Sequence, residues 1–400
     1  MAAALLDRHA VPQLRLALLE LFAGRFPAAA RHITADGWDE LDRLAALHRL
    51  QPLLHQSHRS NSAVPEAVRE RWREAFRLSS LRALALAGDL ERSVALLEAR
   101  GFEPIALKGA WLAWHAYPHP GLRPMRDIDL LLTPDTVIPA HRLLQDHGYE
   151  PLGAAEFSPE DSVKLDKHMP PLLSPHGTAV EVHHRLWEID GRMDHSAPGA
   201  NEAQLRARAR RDGGIVYLAP ADLLAHLIIH AVYDHRLDCG PLVLSDIAYL
   251  LGATEIDWDA FWAAAALQGW DRGAQLVLAL VQDHARDLDI PVPVGLPSLP
   301  PEHLSLSADL LLQELDTRRS AGFVAALKVG GITAMLSRAF ARREHKGHAP
   351  VARNLNAEGG FLSWARGRLA RTLWDLSHSA VRRQSRNLAQ LSQWLDGNMR

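Results

Sequence analysis

Residues 104–132 read PIALKGAWLAWHAYPHPGLRPMRDIDLLL, and the fold turns on how this stretch divides. Pro104 to Leu107 is a short apolar run that predicts a buried strand. Lys108-Gly109-Ala110 interrupts it and opens a helical segment over about 109–117. A Pro- and Gly-rich loop carrying Arg123 and Arg126 follows. Asp127-Ile128-Asp129 then leads into a second apolar run, Leu130 to Leu132. Side chains on a strand alternate between faces. Asp127 and Asp129 are therefore expected on one face, with Ile128 and Leu130 turned into a core on the other. Two carboxylates a strand-step apart can share a hard divalent cation such as Mg²⁺, a common way to hold metal on nucleotide phosphates. Asp-x-Asp is also ordinary turn chemistry at a strand end, so the surroundings of the pair have to decide.

Downstream, Pro134-Asp135 starts a helix over about 135–147 and Gly148 ends it. Two strand candidates follow, Val163 to Leu173 and Thr178 to Leu186, with a hairpin turn at His176-Gly177. A last short strand, Ile215 to Leu218, comes after Gly213-Gly214. In the segment TAVEVHHRL, 178–186, Val180 and Val182 alternate with Glu181 and His183. Glu181 is thereby presented opposite the apolar side of its strand, as the two aspartates are on theirs. A third carboxylate beside the pair can share a metal or take a proton from an attacking hydroxyl. The competing reading of Glu181 is a solvent-facing strand residue.

On both sides of this mixed region the pattern is helical. Leu14, Leu16, Leu18, Leu19 and Leu21 form one apolar face, and Leu41, Leu44, Leu47 and Leu50 another. The segment Pro65 to Arg100 carries a stripe of Ala83, Leu86, Leu90, Val94 and Leu97, its charged residues on the solvated face. Beyond Pro220, helices are expected over 222–236, 242–251, 258–267 and 272–288. The stretch IPVPVGLPSLPP, 290–301, reads as a linker. Leu388, Leu391 and Leu395 mark one face of a last helix. The expected organisation is a helical cap over 1–102, a mixed core over 103–219, a helical subdomain over 220–289, a proline-rich linker over 290–302 and a basic helical tail over 303–400. The fold class is α+β: a small mixed β-sheet flanked by N-terminal and C-terminal helical regions.

Composition narrows the function. The chain has 400 residues, 48% hydrophobic and 23% charged, so it can bury a substantial core. A net charge of −3 gives no global attraction to nucleic acid, and the single cysteine, Cys239, rules out an intramolecular disulfide and a cysteine zinc site. Asp7, Arg8 and Arg15 break the N-terminal apolar pattern, and no run is long enough to span a bilayer. A cytoplasmic protein with no membrane partner is the expectation. No Walker A loop, Gly-x-Gly-x-x-Gly or Gly-x-Ser-x-Gly elbow occurs.

Taken together, Lys-Gly, a short helix, a Gly-Leu-Arg loop, Arg-Asp-Ile-Asp-Leu and a downstream Val-Glu-Val-His resemble the nucleotidyltransferases of the DNA polymerase β superfamily. The likeness is nearest to a bacterial branch of uncharacterised nucleotidyltransferases with helices before and after the catalytic sheet. The specific motifs cover 104–132. The resemblance implies a metal-dependent transfer of a nucleoside monophosphate from an NTP such as ATP to an acceptor. Asp127 and Asp129 would bind Mg²⁺, or Mn²⁺ in its place, and Glu181 would be the third catalytic acid. Gly109 would let backbone N–H groups approach the phosphates. The usual turn of the superfamily is Gly-Ser, and here it is Gly109-Ala110. Phosphate binding therefore falls to backbone, Lys108, Arg123 and Arg126, since Arg offers bidentate contacts to phosphate. The arginines have an alternative use as partners of nearby acids.

Other readings stay beside this one. Without the Gly-Ser hydroxyl, the chain could be a nucleotide-binding regulatory module on a transferase fold; a metal–diphosphate site could also serve a nucleotide-sugar donor. Lys164, Asp166 and His168 alternate, which would set His168 on a strand facing the same cleft as Glu181, with His183 as a further candidate. His226, His230 and His235 have helical metal-ligand spacing but no full ligand set, and a structural or surface role is favoured. The segment 337–400 holds twelve Lys or Arg against four Asp or Glu. This raises an RNA contact, but a solvated helical face is preferred because aromatic residues are not interleaved. The acceptor is open: a small molecule, a peptide, a protein or an RNA end.

Overall fold

The computed structural model describes residues 13–153, 158–187, 203–313 and 379–395. The expectations for the first residues and for most of the basic tail lie outside them. Among the described residues four α-helices precede the sheet: α1 (Gln13–Phe22), α2 (Ala35–Leu47), α3 (Gln51–His58) and α4 (Glu66–Glu98). α4 has 33 residues, a rod about 50 Å long. Its first part buries Val68 and Trp72 among the other helices, and its last part lays Ala83, Leu86, Leu90, Val94 and Leu97 on the sheet. The apolar stripe read from the sequence is thus the seam between helix and sheet.

Seven strands form one mixed sheet among the described residues: β1 (Ile105–Ala106), β2 (Asp127–Leu131), β3 (Glu150–Pro151), β4 (Leu172–Leu173), β5 (Ala179–His183), β6 (Arg210–Asp212) and β7 (Ile215–Tyr217), in the order β3-β4-β5-β2-β1-β7-β6. β2 lies antiparallel to β1 and parallel to β5, with Asp127 opposite Ala179 and Asp129 opposite Glu181. Period two divides the sheet. Ile128, Leu130, Val180 and Val182 join the core beneath α4, while Asp127, Asp129 and Glu181 stand on the opposite face. That second face is covered by α8 (Pro220–Ile229) and α9 (Leu242–Ala253), numbering from the helical turn α5 (Gly109–Trp111) through α6 (Val137–Asp146) and α7 (Pro159–Leu165). Their Leu227, Ile228 and Ile247 are buried in the larger core with Leu107 and Leu131.

The α+β architecture, a mixed sheet with helices before and after it in sequence, is as expected. Helices over Leu242–Ala253, Trp258–Gln268 and Asp271–His284 stand where the pattern put them, and Ser379–Leu395 buries Leu388, Leu391 and Leu395. The strand expected over 163–173 is not one strand. Residues 159–165 are α7, started by Ser158, whose Oγ accepts the Asp161 N–H at 3.1 Å, with Pro159 in the first turn. Only Leu172–Leu173 pairs as a strand, making the expected hairpin with β5. Among the described residues two helices loosen into π-turns, at Leu112–Ala116 and His230–Asp234. π-turns recur at functional sites, and the second borders the cleft described next. Among the described residues no helix is long and apolar enough to cross a membrane.

Candidate active site

β2 and β5 run parallel, so equivalent positions on the two strands sit side by side. Asp129 and Glu181 are such a pair, and Asp127 is one strand-step earlier on the same face. All three line one cleft of about 520 Å³, together with Lys108, Gly109, Arg123, Arg126, His168 and His183. Every residue singled out in the sequence for catalysis or nucleotide contact therefore opens onto the same space.

The carboxylates differ sharply in their surroundings. His183 Nε2 donates to Asp129 Oδ1 at 2.9 Å and lies 3.5 Å from Glu181 Oε2. Lys108 Nζ is 3.4 Å from Asp129 Oδ2. Burial alone would raise the Asp129 pKa, but Lys108 and His183 hold it well below the usual carboxylate range. For Glu181 burial is likewise outweighed, chiefly by the His183 hydrogen bond, and its pKa is lowered. Burial opposes protonation of His183, and the two carboxylates reverse this and raise its pKa. Among the described residues Asp127 has no such partner. Burial first, then the charges of Asp129 and Glu181, push it up to about 6. Donor atoms of Asp129, Glu181 and His183 all lie within 4.8 Å of one another, a spacing that one metal ion could bridge.

The two loop arginines have different surroundings. Arg123 is fixed: its Nε and Nη2 donate to Asp246 Oδ1 and Oδ2, both at 2.8 Å, and Tyr117 OH donates to the same carboxylate at 2.7 Å. Its remaining nitrogen, Nη1, occupies the space a Cβ would take at Gly109. The glycine is thus needed for the guanidinium that lies over it. Arg126 is exposed at the rim, its carbonyl held by Arg82 Nη2 at 3.0 Å. Lys108, ahead of Gly109, holds φ 43° and ψ −109°, an unfavourable backbone kept by the turn between β1 and α5. Ala110 presents no hydroxyl there.

His168 reaches the cleft, but not from a strand that includes Lys164 and Asp166. A single bridge to His183 places it, and its Nε2 is 3.9 Å from Glu181 Oε2. His226 is buried in the core side of α8, with neither ring nitrogen hydrogen-bonded among the described residues, and burial followed by Lys108 pushes its pKa well down. His230 and His235 line the far wall with Asp234, which pairs with Lys167 at 2.9 Å. Arg49, Lys167, Asp234 and Asp246 also line the cleft, and no local pattern in the chain marks them for it. They arrive by long-range packing, and Asp246 is 123 residues from the arginine it holds.

No curated protein and no solved structure matches this chain. A family model does match it, over residues 34–286, and its span runs from the start of α2 to just past the helix Asp271–His284, taking in the whole cleft. The chain belongs to that family, described as uncharacterised nucleotidyltransferase.

Proposed function

We propose that the protein transfers a nucleoside monophosphate from an NTP to a hydroxyl-bearing acceptor and releases pyrophosphate. The observation that carries this reading is the register of β2 on β5. It aligns Asp129 with Glu181, with Asp127 one step away, opposite the Lys108-Gly109 turn.

The residues fit a divalent cation. Desolvation within the cleft, then the charges of Asp129 and Glu181, push the Asp127 pKa up to about 6, and a dication relieves that kind of repulsion. Asp127 and Asp129 would hold Mg²⁺ or Mn²⁺, which when bound offsets negative charge on the triphosphate. His183 orients Asp129 through its 2.9 Å hydrogen bond and restrains Glu181. Glu181 positions the acceptor hydroxyl and takes its proton, with His168 beside it. Lys108 stands where it can pass from Asp129 to a phosphate oxygen. Gly109 makes room for the Arg123 guanidinium, which braces the turn and presents Nη1 over it as a donor to phosphate. Arg126 meets the phosphates from the rim. With Ala110 in place of a serine, these contacts replace the missing hydroxyl.

The test is pyrophosphate release from each of the four NTPs with Mg²⁺ and a cell extract as acceptor source. Wild-type protein should release pyrophosphate. Asp127→Asn and Asp129→Asn should not, while keeping a wild-type circular dichroism spectrum. Unchanged release by both variants would defeat the proposal. Metal-dependent NTP binding without release would leave a nucleotide-binding regulatory protein instead.

A further inference from the structure

Arg49 reaches the cleft from the helices ahead of the sheet. α2 ends in a Schellman turn, in which Leu50 N–H donates to Ala45 O at 2.8 Å and Arg49 N–H to Ala46 O at 3.0 Å. The residue at the Arg49 position of such a turn takes left-handed backbone, and glycine is its usual occupant. Arg49 holds φ 62° there, at a steric cost that glycine would avoid. The local turn therefore does not explain an arginine.

The side chain does. Its Nη1 donates to Pro124 O at 3.3 Å, which sets the guanidinium in the cleft wall with Lys108 and Arg126. Arg123 is neutralised by Asp246 and Lys108 faces Asp129. Among the described residues neither Arg49 nor Arg126 has an ion-pair partner. Burial, then the neighbouring Arg126 and Arg123, lower the Arg49 pKa, so this wall carries crowded positive charge. The cleft is thus divided: surplus negative charge at Asp127, Asp129 and Glu181, surplus positive charge at Arg49 and Arg126.

We propose that Arg49 recognises the triphosphate of the donor, its guanidinium and that of Arg126 holding the β- and γ-phosphates. This rests on the nucleotidyl-transfer reading above and narrows the donor to a nucleoside triphosphate over a nucleotide sugar, whose diphosphate ends in a neutral group. In the transfer, the acceptor oxygen bonds to the α-phosphorus and its proton passes to Glu181. The bond from the α-phosphorus to the bridging oxygen breaks, and its electron pair leaves on pyrophosphate. Arg49 offsets the charge that gathers on that leaving group.

Calorimetric titration of the full chain with the four NTPs and the four matching monophosphates, in Mg²⁺, tests this with two variants. Arg49→Gly suits the left-handed backbone, so it should melt at or above the wild-type temperature. It should weaken the preferred NTP about 10- to 100-fold and leave the monophosphate within about twofold. Arg49→Lys should fall between, keeping charge without the planar fork. Unchanged NTP affinity in Arg49→Gly would overturn the proposal. So would an equal loss for NTP and monophosphate with a lower melting temperature, which would make Arg49 a brace for the Pro124 loop. Wild-type protein that binds no nucleotide would overturn the transfer reading as well, whereas NTP binding and pyrophosphate release that survive intact in Arg49→Gly would overturn the role of Arg49 alone.

Discussion

Gly109→Ala should be among the most damaging single-methyl changes in this protein. An added Cβ would collide with Arg123 Nη1 and stand 3.1 Å from both Arg123 Cζ and Met125 Sδ. The guanidinium has little freedom to yield, because Asp246 takes two of its hydrogen bonds at 2.8 Å and is itself only 4% exposed. Two responses compete. Overpacking with a shifted turn costs about 1–3 kcal/mol. Expelling Arg123 from Asp246 leaves a buried charge unpaired, at about 3–5 kcal/mol. The cheaper response wins, so a loss of about 1–3 kcal/mol is expected in urea denaturation. The cause can be isolated with Arg123→Gln. With the guanidinium gone, the added methyl should cost at least about 1 kcal/mol less than in the wild-type background, a coupling typical of residues in contact. A Gly109→Ala variant within about 0.5 kcal/mol of wild type, or strictly additive effects in the double variant, would refute this account of the turn.

Asp246→Ala leaves both Arg123 and Tyr117 without their partner; it should destabilise the fold by about 3–5 kcal/mol in urea denaturation and weaken NTP binding although Asp246 is outside the reacting centre. Leu130→Ala, at a fully buried position of β2, should cost about 2–5 kcal/mol by the same measurement. His284 is half-buried against Phe22 and hydrogen-bonded with Ser245 Oγ at 3.0 Å, and desolvation, then Arg25, push its pKa down to about 3. The unfolded chain takes up that proton near 6.5 and the folded chain does not, so the His284 contribution is full above 6.5 and is lost as pH falls toward 3. Between pH 6 and 4, His284→Asn should flatten the fall in unfolding free energy by about 1.4 kcal/mol per pH unit; an unchanged slope would contradict it.

Much of the site could be read from the chain because it rests on local periodicity. Period two along 127–132 and 178–183 fixes which face each acid takes. The 3.6-residue stripe of α4 supplies the other layer of that sandwich. The segment 163–173 misled for an instructive reason: Val163 and Leu165 alternate with Lys164 and Asp166, as on a strand. Yet Ser158-Pro159-Glu160-Asp161 is a helix start, with a capping hydroxyl, proline in the first turn and two acids near the positive end of the dipole. His168 arrived in the cleft despite that misreading, because the single bridge to His183 does what a strand would have done. Asp246 and Arg49 were illegible for another reason. Each is placed by helices packing on the sheet, and nothing in their neighbourhoods marks an arginine's partner or a glycine-like turn as part of the cleft.

The most direct test of nucleotidyl transfer follows the label from two forms of one NTP, α-³²P and γ-³²P, in the presence of Mg²⁺ and acceptor-containing extract. The arrangement of Asp127, Asp129 and Glu181 predicts that α-label enters the acceptor and γ-label leaves as pyrophosphate. Both products should vanish in Asp129→Asn. Entry of γ-label into the acceptor would make this a phosphoryl transferase and contradict the account, as would α-label transfer that survives in Asp129→Asn.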